Sequence, residues 1–135
     1  MRPFAWLLPL VILAGCVSNG VQPLLPQEIA TAPYHGISTA SAAGTLAYED
    51  GCLTFRDDAH QTVWVPVWPH GTVYNGTSLI FHEPGRADQP FVLGQEIRIS
   101  GQPLDWSAVP GPRAPLFARQ CGGVPFAVAD VRPAD

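Results

Sequence analysis

The chain has 135 residues and a formal net charge of -4 at pH 7, with 13% charged and 47% hydrophobic residues. That length fits one domain, and an acidic chain whose seven basic residues are all arginine lacks the clustered cations that a nucleic-acid backbone requires. The absence of lysine also removes Schiff-base and Ser-Lys chemistry.

Residues 1–15 read as an export signal. Met1-Arg2 supplies a basic start, and Pro3 to Leu13 is almost wholly apolar. The run is shorter than the roughly 20 residues a membrane-spanning helix needs, and it exits through small residues. Leu13-Ala14-Gly15-Cys16 resembles the lipobox of bacterial lipoproteins. The resemblance implies cleavage before Cys16 and acylation of its thiol by fatty acids such as palmitate. It also implies a mature chain of charge -5 (-4 minus the lost Arg2). Each buried CH₂ contributes about 0.8 kcal/mol, so several acyl chains on one cysteine anchor stably. Val17 in place of Asp after Cys16 resembles an outer-membrane address, facing the periplasm.

Residues 16–43 read as a lipid-anchored flexible tether, carrying Ser18-Asn19-Gly20, Pro23, Pro26 and a small-residue stretch from Ile37 to Ala43. As a coil, about 27 residues reach about 30 Å. Leu24, Leu25 and Ile29 offer the alternative of packing on the domain.

The folded domain is expected over residues 44–135. Thr45 to Tyr48 and Cys52 to Phe55 alternate around a Glu49-Asp50-Gly51 hairpin-type turn, with Gly51 suited to a left-handed backbone. Asp57 to Gln61 reads as a solvated turn. Thr62 to Trp68 is the most apolar stretch, with valines on one face and tryptophans on the other, which predicts a strand central to the core. Pro66 cannot donate to a ladder, so it marks a bulge or an unpaired side of that strand. Strands follow over Thr77 to Phe81, Pro90 to Leu93 and Glu96 to Ser100, the last with Ile97 and Ile99 inward. Gly101 to Pro115 reads as a long Pro/Gly loop, and Gly122-Gly123 leads into a final strand, Val124 to Val131. No window free of proline and glycine carries a helical stripe, so the expectation is all-β with about six short strands and no helix.

In an exported chain Cys52 and Cys121 are an even pair in an oxidising compartment, which favours a disulfide over two separate buried thiols. Neither has a CxxC or CxxH neighbour, so no metal site is expected. The series Gly44-x-Leu46, Gly51-Cys52-Leu53, Val67-Trp68-Pro69-x-Gly71, Gly94-x-x-Ile97, Gly101 and Cys121-Gly122-Gly123 is similar to small bacterial β-barrel domains of OB-like type. That resemblance implies a small barrel and the Cys52–Cys121 pairing, and it implies no activity.

No catalytic constellation emerges. His82-Glu83 opens like HExxH, but Arg86 replaces the second histidine and Pro84-Gly85 breaks the helix. Gly76-Thr77-Ser78-Leu79-Ile80 lacks the last glycine of a nucleophile elbow. His35, His60, His70 and His82 share no short ligand spacing. Trp64 and Trp68 read as core. The candidate binding loop carries Leu104, Trp106 and Val109 among four prolines. The sequence therefore predicts a lipid-anchored envelope lipoprotein, not an enzyme, without metal or cofactor. Its expected partners are the membrane, through the anchor, and an envelope protein or cell-wall component. The alternative is an inhibitor whose loop enters the cleft of a hydrolase.

Overall fold

A computed structural model describes residues 23–33 and 37–134. The signal segment, Cys16 and His35 lie outside the described residues. Among the described residues nine strands run in chain order: β1 (Thr31–Ala32), β2 (Ala40–Glu49), β3 (Cys52–Asp57), β4 (Val63–Pro69), β5 (Val73–Tyr74), β6 (Ser78–Phe81), β7 (Gln89–Val92), β8 (Glu96–Pro103) and β9 (Val124–Pro133). One α-helix, α1 (Ala114–Cys121), precedes β9. Among the described residues no helix is long and apolar enough to cross a membrane.

Five strands pair in a closed cycle. β4, β3, β2, β8 and β9 are neighbours in that order, and β9 returns to β4. All contacts in the cycle are antiparallel except β4 with β9, which is parallel. The β2–β3 turn is Asp50-Gly51, both at positive φ, as a two-residue hairpin loop requires. The apolar side chains that alternate along these strands meet inside the ring: Leu46, Phe55, Trp68, Ile97, Ile99, Phe126 and Val131 are buried. A separate sheet, β5-β6-β7, contributes Tyr74, Leu79, Phe81 and Phe91 to the same core.

Two glycines allow the ring to close. At Gly44 a Cβ would overlap the carbonyl oxygen of Arg56, and at Gly101 it would overlap that of Ala127. Gly44 is paired on both sides, with Asp57 and with Ile97. Gly101 sits at a register shift in which Ser100 opposes Asp130 and Gly101 opposes Val128. Such bulges bend a strand, and here the missing side chain lets the neighbouring backbone approach.

β4 is central, and each of its faces is covered. Its tryptophans point into the ring, while Val67 on the other face joins a second core with Ala30, Ala32, Val109, Ala114 and Phe117. Pro66 falls between two partners on one side of the strand. Pairing with β3 stops at Trp64, and β1 takes over at Trp68, where the Trp68 N–H donates to the Ala30 carbonyl at 2.9 Å. The proline therefore occupies the one step where neither partner would receive its N–H.

Four expectations change. The folded unit reaches further toward the N-terminus than Gly44: β2 begins at Ala40, and β1 with residues 24–30 packs on the domain rather than forming tether. Among the described residues strands number nine rather than about six. The helix was not expected, because no helical stripe stands out there and Pro115 closes the expected loop; the proline stands in the first turn of α1, where its missing N–H has no partner to lose. The expected loop from Gly101 to Pro115 is largely structured, with Gly101 to Pro103 inside β8 and a 3₁₀ turn over Trp106–Ala108.

Candidate functional site

The second core ends in a groove. β1 and the segment before it run along β4, and the proline-framed segment from Leu104 to Arg113 runs beside them. Two adjoining cavities open between the two segments. One, of about 300 Å³, is lined by Val67, Ala129, Leu104, Ala108, Pro33 and Ile37, among others. The other, of about 460 Å³, is lined by Ile29, Ala30, Val109, Pro112, Arg113 and Phe117, among others. Pro33 and Pro110 border both. Both volumes fall in the range of small-molecule or side-chain pockets, and their walls are mostly apolar, as such pockets are.

The three residues of the expected binding loop are brought together here, with different roles. Val109 is buried in the second core, and Leu104 is half-buried against it, with its N–H donating to the Pro125 carbonyl at 2.9 Å. Trp106 is also half-buried, and its indole Nε1–H donates to the Gly123 carbonyl at 3.0 Å. The segment lies on the ring and does not project from it. Ile37, 51% exposed, is the large apolar side chain that the groove leaves open.

The charged members of the groove neutralise each other. Arg113 donates through Nε to Glu28 Oε2 at 2.8 Å and through Nη2 to Glu28 Oε1 at 2.6 Å, a fork-on-fork pair. Arg113 Nη2 also donates to the Pro23 carbonyl at 3.2 Å. The hydrogen bonds from Arg113 hold the Glu28 carboxyl below its ordinary value; burial opposes this, and the Leu25 N–H and the arginine charge assist it. The same pair raises the Arg113 guanidinium. His70 sits at the rim, with Nδ1 3.1 Å from the Thr31 hydroxyl. Glu28 and Arg113 were missed in the sequence. Their signal was isolation, since Glu28 is the only charged residue between Arg2 and Glu49.

The other candidates lie elsewhere and apart. His60 faces Asp57 at 3.3 Å, and His82 faces Asp88 at 2.8 Å. Among the described residues no group of three or more His, Cys, Asp or Glu is placed to hold a metal ion. Asp57 is buried rather than solvated as expected. Burial pushes its carboxyl up, but the Ala59 and His60 N–H groups and the His60 ring outweigh burial and leave it lowered. Trp64 and Trp68 pack edge-on against Phe126 and Phe81. Their buried indole N–H groups have no hydrogen-bond partner among the described residues.

Cys52 and Cys121 form a disulfide, with Cα atoms 5.6 Å apart. It ties the start of β3 to the end of α1, and so fixes the helix that closes one side of the second core. No family model, curated protein or solved structure matches the chain.

Proposed function

We propose that this protein is a lipid-anchored module of the bacterial cell envelope, held by acylated Cys16 and facing the periplasm from the outer membrane, which binds a protein partner without catalysing a reaction. The observation that carries the binding role is the pair of adjoining apolar cavities between β1 and the Leu104–Arg113 segment. An apolar groove with prolines at its rim loses little entropy when a partner's apolar side chains enter it. Its ionisable groups are occupied, Glu28 with Arg113 and His70 with Thr31, which supports binding over chemistry. The Cys52–Cys121 bridge suits an oxidising compartment. The closed five-strand cycle, with its inward apolar core, supports reading the ring as an OB-like barrel. Since the Leu104–Arg113 segment is held against the ring, the groove is a better binding surface than an inserting loop.

The test is photo-crosslinking in the producing cell. A photoreactive phenylalanine analogue at Ala108, inside the groove, should give a discrete protein adduct that Ile37→Glu abolishes. The same analogue at Asp58 should give none. Absence of an adduct at Ala108, or identical adducts at both positions, would overturn the groove as the binding site.

A further inference from the structure

We infer that the surface formed by Pro23 to Leu25 and the exposed side of α1 lies on the headgroup layer of the membrane that carries the anchor. This rests on the proposed acylation of Cys16. The chain is fixed to the domain from Pro23 onward. Arg113 holds the Pro23 carbonyl and the Glu28 carboxylate, Leu24 packs on the second core, and the Gln27 N–H donates to the Tyr48 hydroxyl at 3.1 Å. Only residues 17–22 separate Cys16 from Pro23. Seven steps of chain span at most about 25 Å when fully extended, and about 15 Å as a coil. A folded unit of this size is about 35 Å across. The link is shorter than the domain, so the pole where the chain leaves the domain must face the lipid.

The chemistry of that pole agrees. Pro23, Leu24, Leu116, Arg119 and Gln120 border one hollow, and Leu25 beside it is 57% exposed. From Trp106 to Ala129 the chain contains no Asp or Glu and two arginines, although the protein as a whole is acidic. Of the acids nearby, Glu28 is paired with Arg113, while Glu49 ends β2 and Asp50 opens the turn, where its backbone carbonyl accepts from the Gln120 amide and both carboxylates are exposed to solvent. A zwitterionic headgroup layer carries no net charge, so it repels neither Arg119 nor the exposed carboxylates while Leu25 meets it. The acids Asp57, Asp58 and Glu96 lie toward the other end of β3, five residues or about 17 Å from Cys52.

The experiment places the mature, acylated protein on phosphatidylcholine nanodiscs containing a gadolinium-chelate lipid and reads the broadening of amide resonances. Broadening at Leu25, Leu116 and Arg119 should exceed that at Asp58 and Glu96 at least severalfold. A twenty-residue Gly-Ser insert between Val21 and Gln22 should even out the pattern while the protein stays on the disc. A pattern that survives the insert still places this pole on the lipid, by its own affinity. Uniform broadening of the uninserted protein on discs would overturn the orientation. Failure of the mature protein to associate with discs at all would instead overturn the anchor.

Discussion

Removing the disulfide as Cys52→Ala/Cys121→Ala tests how the second core is held. The bridge closes a loop of sequence separation 69. The chain-entropy relation gives a loop of that length about 4 kcal/mol of stabilisation, by limiting the unfolded chain. In a folded unit of about 110 residues, that corresponds to a fall in Tm of about 15–20 °C. The structure adds a local component. α1 is fastened at its start by Arg113 and midway by buried Phe117, but its end is fastened to β3 through Cys121. Without the bridge, amide exchange should rise first in the last turn of α1 and only later in β8 and β9. Thermal melting followed by circular dichroism reads the global effect, and hydrogen exchange reads the local one. A Tm change below about 5 °C, or protection lost evenly across the domain, would refute this account of the bridge.

Other substitutions probe the ring and the docked segment. Gly101→Ala drives a Cβ into the Ala127 carbonyl and should cost at least about 3 kcal/mol, whereas Gly85→Ala, with open space around it, should cost only about 1 kcal/mol for its positive φ; equal Tm losses would contradict the close approach. Glu28→Gln should lower stability at pH 7 by about 1–2 kcal/mol, because it leaves a partly exposed guanidinium without its carboxylate. Because the folded Glu28 carboxyl is held below its ordinary value of 4.5, its contribution is complete above that pH and is lost as the pH falls through the lower folded value. Denaturant titrations should therefore show the two proteins converging in acid, and a gap that persists there would contradict the ion pair.

Much of the ring was legible because its strands alternate. Ile97 and Ile99, Leu53 and Phe55, and the two-faced run from Val63 to Trp68 each point to the face they occupy. Pro66 was also legible as a break in pairing, though not which two partners meet there. The segment from Leu24 to Ala32 was legible only as an alternative to tether, through Leu24 and Ile29, because its strand is two residues long and its hold comes from contacts distant in sequence, Glu28 with Arg113 and Ala30 with Trp68. α1 escaped because eight residues with a proline in the first turn give no periodic stripe. Leu104, Trp106 and Val109, grouped in the sequence as apolar residues among prolines, pack on one core cluster. Sequence spacing could not show that Val109 would turn inward and that Trp106 would be tied to Gly123. The groove needs both segments at once, so neither alone announces it.

The central claim is a domain held to a membrane by acylated Cys16. Mass spectrometry of the N-terminal fragment of the protein recovered from its own membranes tests it most directly. The fragment should begin at Cys16 and carry fatty acyl mass, and Cys16→Ser should abolish that mass and release the domain from the membrane fraction. A fragment that retains residues 1–15, or one that begins elsewhere with an unmodified Cys16 thiol, would contradict it.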